Sequence, residues 1–333
     1  MEAPTISNGR KIKATQQTTD PSQSKSTAAI PWLPRTDISA GLKLASQRSW
    51  ALNITPLAEP MSNMLRKAIE LAEIRMVFGI ASSGEPTNPA YTPFQLDGIP
   101  QLCTDALVDA ATSMGFTENY DVIQRLHDRD EKSEYADPLC NYVASRMRTL
   151  RGKIKEAALS IVPTALRFSS TPMDDLRTLS QGDNFLFPSL GNGFDFAKPF
   201  GCEVIRDIIR AAFFTPQQYH NAGIRFAHRL SSSNGSAERE IPMTMLALAV
   251  TALEAVLGDH VNQITTDFSM TMHGPYIEHL ATATDLLEKK PGPYHALMHD
   301  IFKTVTFGQS AFATPSGSGK RGRTRIDWDS IVD

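Results

Sequence analysis

His295 and His299, in "YHALMHD", are the pair best spaced for metal chemistry. On a helix, residues four apart share a face, so both imidazoles can point at one ion. A metal centre needs three or four converging ligands. His260, His273 and His279 are the other histidines near enough in sequence to supply a third. The competing reading is two histidines bonded to backbone and water.

A second constellation is cationic. Arg146, Arg148, Arg151, Lys153 and Lys155 crowd one predicted helix, with Glu156 the only nearby acid. Arginine and lysine on a helix can grip phosphates, although such runs are more often solvated faces paired with neighbouring acids. These five fall on both flanks of the apolar face and behind it. Lys320, Arg321, Arg323 and Arg325, in "KRGRTR", form a further basic patch of the kind used for nuclear localisation or nucleic-acid contact. "SGSGK" lacks the spacing of a phosphate loop, and no Gly-x-Ser-x-Gly elbow follows a strand. Tyr276 and His279 are three apart on a predicted helix and can share a hydrogen bond. His299-Asp300 resembles the His-Asp pair of helical metal-dependent phosphohydrolases, but the later Asp those enzymes use has no counterpart before Asp327.

Charge narrows the choice. The net charge of −3 divides into +4 over residues 1–50, +1 over 317–333 and −8 over the 266 residues between. An acidic body with basic arms is a poor general attractor for nucleic acid. Three cysteines, Cys103, Cys140 and Cys202, with no Cys-x-x-Cys, read as free thiols of a reducing compartment. The first 27 residues carry no apolar core of a secretory signal. No cofactor is expected.

The elements that must position these residues are helical. Met1–Pro60 reads as a disordered and linker arm, rich in Ser, Thr, Gln and Lys. From Met61, apolar residues recur at three- and four-residue spacing. Ser62 is a candidate N-cap and Gly79 a stop. Val143, Met147, Leu150, Ile154, Ala157 and Ile161 form one continuous stripe, interrupted at Pro163. "IPMTMLALAVTALEAVLG", Ile241–Gly258, is apolar around most of its circumference, apart from a stripe through Glu240, Thr244, Ala247, Thr251, Glu254 and Gly258. That pattern belongs inside a bundle, and its length falls short of the ~20 apolar residues a bilayer needs. Two more helices follow, separated by "PGP". The fold class is therefore all-α: a single multi-helix bundle over residues 61–309 around a central buried helix, then a flexible basic tail over 310–333.

The order of "YVASRMRTLRGKIKEAA", "NFLFPS", "PFGCEVIRDIIRAAFF", "EIPMTMLALAVTALEAVL", "PYIEHL" and "YHALMHDIF" resembles a family of mushroom-forming fungi catalogued as domain of unknown function six-five-three-two. The resemblance covers about residues 141–307. It implies a helical fold in a fungal protein and no particular activity. The chain departs from the family pattern at Gly201-Cys202, where His-Pro is expected, and at Asp259-His260, where a Trp is expected. The leading expectation is a non-enzymatic interaction or scaffold module of the cytoplasm or nucleus, with protein partners and no membrane. The alternatives are a nuclear nucleic-acid-associated protein and a helical metal-dependent hydrolase.

Overall fold

The computed structural model describes residues 31–46, 49–80, 92–95, 98–117, 121–128, 132–190, 193–216, 221–232 and 235–307. One compact unit begins at Leu33; of the preceding unit only Pro31 and Trp32 are described. The arm before Pro31 and the tail patch Lys320, Arg321, Arg323 and Arg325 lie outside the described residues.

Ten α-helices carry the described part of the larger unit: α1 (Glu59–Phe78), α2 (Gly98–Ser113), α3 (Val122–His127), α4 (Asp137–Ala165), α5 (Met173–Ser180), α6 (Glu203–Phe213), α7 (Ala222–Arg225), α8 (Met243–Asn262), α9 (His273–Lys289) and α10 (Pro291–Thr306). The protein is all-α with only short strands. The segment read as a linker is partly built into the body. Ile38 and Thr36 are fully buried, and the Tyr135 hydroxyl donates to the Thr36 carbonyl. An antiparallel hairpin, β1 (Leu42–Ser46) with β2 (Ser49–Leu52), follows in register Leu42↔Leu52. Five- and four-residue strands are too short to display sustained alternation in a sequence.

α1 begins at Glu59, ahead of the expected cap. Pro60 suits the first turn, where its missing N–H costs nothing. Ser62 instead sends its hydroxyl to the Ile54 carbonyl at 3.1 Å. Gly79 ends α1 at φ +66°, and a Cβ there would lie 2.7 Å from Thr244 Cγ2, so conformation and space both demand glycine.

α8 occupies the middle, packed by α9, α4, α6, α1 and α5. Its residues 245–253 are all buried. At 20 residues it is long and apolar enough to cross a bilayer, yet most of it is enclosed by its neighbours. The stripe of small and polar residues divides in two. Thr244 Oγ1 donates to the Val77 carbonyl of α1 at 2.7 Å, and Ala247 and Thr251 are buried. Glu254 reaches the edge, 2.7 Å from His279 Nε2 on α9. The helix runs four residues beyond Gly258 and stops where Gln263 turns left-handed. The "PGP" segment both ends α9 and opens α10, whose first turn holds Pro291 and Pro293.

Candidate functional site

A concavity of about 900 Å³ lies where α4 and α8 end side by side. Both helices close with the same backbone motif. After α4, Phe168 N–H donates to Pro163 O and Arg167 N–H to Thr164 O. After α8, Ile264 N–H donates to Asp259 O and Gln263 N–H to His260 O. This is the Schellman pairing, whose left-handed residue is usually glycine. Here those residues are Arg167 (φ 50°) and Gln263 (φ 54°), two of the four described non-glycine residues at positive φ. Both line the groove. A side chain held left-handed is strained, and such strain collects at functional sites.

Pro163, two residues before the end of α4, has no N–H to offer the Leu159 carbonyl. The polar floor is closed on itself. Lys155 Nζ donates to Asp259 Oδ2 at 2.6 Å and to the Thr266 carbonyl, and Thr266 N–H returns to Asp259 Oδ1 at 2.9 Å. Burial opposes the Asp259 charge, but the Lys155 and Thr266 donors outweigh it and hold the carboxyl below the ordinary aspartate range. Above this floor the surface is apolar. The Phe168 ring stacks on His260 with centroids 3.9 Å apart. Val256, Pro163 and Met173 add to the lining. Leu159 from α4 and Ile264 from beyond α8 stand 49% and 56% exposed. Arg167 is exposed at the rim and makes no ion pair among the described residues.

The α4 cations part company. Arg151 turns inward, donates to the Pro93 carbonyl at 2.6 Å and lies over the Phe94 ring. Burial, with Arg148 nearby, lowers its affinity for the proton. Lys155 is the groove's buried cation. Lys153 pairs with Glu156 at 2.6 Å, and Arg146 stacks on Tyr142. Arg148 is exposed. The five do not form one outward-facing row.

His295 and His299 share a face of α10, as their spacing requires, and both bind the segment that leads into α8. His295 Nδ1 faces Glu240 at 3.0 and 3.1 Å, and Ser232 donates to the same carboxylate. His299 Nδ1 donates to the Arg239 carbonyl at 2.8 Å, and its Nε2 lies 3.4 Å from Glu238. No group of three His, Cys, Asp or Glu able to hold a metal occurs among the described residues. His279 pairs with Glu254, while Tyr276 packs on Phe94.

Sequence reasoning placed none of Leu159, Phe168, Ile264 or Arg167 at a site. Their signal was faint: Pro163 inside a helical stripe, and Asp259-His260 where the resemblance implies a Trp. No curated protein and no solved structure matches the chain. Residues 100–286, which include every residue of the groove and neither His295 nor His299, match the family described as Domain of unknown function (DUF6532), and the chain belongs to that family.

Proposed function

We propose that this protein is a non-enzymatic interaction module that takes a short segment of a partner protein into the α4/α8 groove. The carrying observation is the half-exposed pair Leu159 and Ile264 above a polar floor whose charges are already matched. Covering such apolar surface is favourable by about 25 cal/mol per Å². The ligand chemistry is two or more apolar side chains beside a carboxylate. The apolar part suits Leu159, Ile264 and Phe168; the carboxylate suits Arg167, which the Schellman closure fixes at the rim. An intracellular setting, the cytoplasm or nucleus of a fungal cell, accompanies this reading, supported by the family resemblance and three unpaired thiols.

A peptide library displayed on phage and selected on the full chain tests it. The expected winners combine apolar residues with an Asp or Glu and lose binding to Leu159→Asp and Arg167→Glu. Leu159→Asp should leave stability within about 0.5 kcal/mol, as exposed positions do. Selected peptides that bind both variants undiminished would place recognition elsewhere. Exposed Arg148, beside Arg146, is the feature favouring the nucleic-acid alternative. Its test is a salt titration of binding to duplex DNA and single-stranded RNA: a log–log slope near zero ends it.

A further inference from the structure

Away from the groove, the second turn of α2 and the first turn of α4 each carry a thiol where the two helices pack. Cys140 Sγ lies 3.4 Å from the Pro100 carbonyl and 3.9 Å from Thr104 Oγ1. Cys103 occupies the same face of α2, between those two contacts in sequence, which sets its side chain beside the Cys140 sulfur. The two sulfurs differ in access. Cys103 is completely buried, whereas Cys140 is half-buried and lines a second cleft of about 410 Å³ with Gln101, His127, Asp128 and Lys132. One thiol therefore meets solvent, and the other is enclosed on the neighbouring helix.

The surroundings divide the labour between them. Donation from Cys103 draws the Cys140 thiol below the ordinary thiol range; burial opposes this, Thr104 and Lys132 assist, and Asp137 works against it. The same bond, with burial, keeps Cys103 protonated. Thr104 now donates to the Pro100 carbonyl at 2.9 Å, and its hydroxyl can turn to the sulfur once Cys140 ionises. Immediately before α4, residues Lys132–Ala136 form a single π-helical turn, a distortion concentrated at functional sites.

We propose that Cys140 and Cys103 form a hydroperoxide-responsive dithiol, with Cys140 as the attacking sulfur and Cys103 as the resolving one. The Cys140 thiolate attacks the outer peroxide oxygen, the O–O bond breaks, and the alkoxide or hydroxide leaves and takes a proton from water. Sulfur is oxidised by two electrons to the sulfenic acid and the peroxide is reduced. Cys103 sulfur then attacks Cys140 sulfur. The S–S bond forms, the S–O bond breaks, and hydroxide departs with the Cys103 proton as water. The disulfide ties α2 to the start of α4, and an added dithiol reverses it.

The test treats the full chain with a small excess of hydrogen peroxide, blocks remaining thiols with iodoacetamide and maps the unreduced digest by mass spectrometry. The expected result is a Cys103–Cys140 linked peptide, with the denatured thiol count falling from three to one, and restoration by dithiothreitol. In Cys103→Ser, Cys140 should instead accumulate as a dimedone-trapped sulfenic acid. Because Cys103→Ser places a hydroxyl in a fully buried site at a cost to folding, the order of alkylation in the untreated wild-type chain is a second reading: Cys140 first and Cys103 last. A link through Cys202, Cys140 advancing to sulfinic acid while Cys103 stays reduced, a count that remains at three, or Cys103 reacting before Cys140 would each overturn the proposal.

Discussion

The two ends of α8 solve opposite problems. At its start the polar groups of Glu240, Ile241 and Thr244 are spent on fastening. Glu240 holds Ser232 and His295, the Ile241 N–H reaches the Met298 carbonyl at 3.3 Å, and Thr244 caps the Val77 carbonyl. At its finish the buried Lys155 and Asp259 are also paired, but Leu159 and Ile264 remain uncovered around a concavity. Buried polar groups must find partners at either end. What distinguishes a clasp from a binding surface is therefore the apolar area left over once the hydrogen bonds are made.

The largest expected effect tests whether the groove floor is structural. Lys155→Ala would strand Asp259 in a site where only 10% of its side chain is exposed, at a cost of about 3–5 kcal/mol. Urea unfolding reads this directly. Replacing both partners, Lys155→Met with Asp259→Leu, should recover most of the loss. The pair also leaves an acid signature. Asp259 is held below its unfolded value, so its contribution is present above pH about 4 and lost as pH falls through the folded value. That share of the acid destabilisation should vanish in Lys155→Ala. Next in size is the contrast between two leucines. Leu253→Ala, inside α8 with no exposure, should cost about 2–5 kcal/mol, while Leu159→Ala at the groove costs under about 0.5. Equal costs would mean that Leu159 is a core residue. At the clasp, His295→Ala leaves the buried Glu240 with one partner fewer, for about 1–3 kcal/mol on the same unfolding curve. The peptide affinity of the groove should not change.

Most of the bundle was legible because helices announce themselves locally. The stripe from Val143 to Ala157 is buried as its spacing predicts, with only its last member, Ile161, half-buried, and the apolar run from Ile241 is the central helix. The boundaries were harder. Gly258 adopts helical angles, since glycine permits a stop without imposing one, and the actual stop is Gln263. Charge was least legible. "RxRxLRGxxK" looks uniform in the sequence, but a helix sends Arg151 and Lys155 to the interior face and Arg148 outward, and only the partners contributed by residues 93 and 259 reveal which cation is consumed. The groove was invisible for the same reason: it is made where two chain reversals meet, more than 90 residues apart in sequence, and no local period encodes that meeting.

Between the two ends of α8, Glu254 supplies the smallest and most discriminating test. Asp183 lies near it, in the 3-10 turn Gln181–Leu186, at φ 56°. Burial raises the affinity of its carboxyl for the proton, Glu254 and Glu278 add to the effect, and His279 opposes it. A carboxyl whose folded value lies above its unfolded one contributes stability that is full below the unfolded value and lost as pH rises through the folded value. At neutral pH the ionised Asp183 is therefore a small cost. Asparagine tolerates the left-handed conformation as aspartate does, so Asp183→Asn removes the charge while keeping the turn. It should raise stability at pH 7 by up to about 0.5 kcal/mol, a gain that fades below pH about 4. Paired urea curves at the two pH values measure it. A loss at pH 7 would show that attraction to His279 outweighs burial, making the middle of α8 a charge-paired clasp like its start rather than an open edge like its finish.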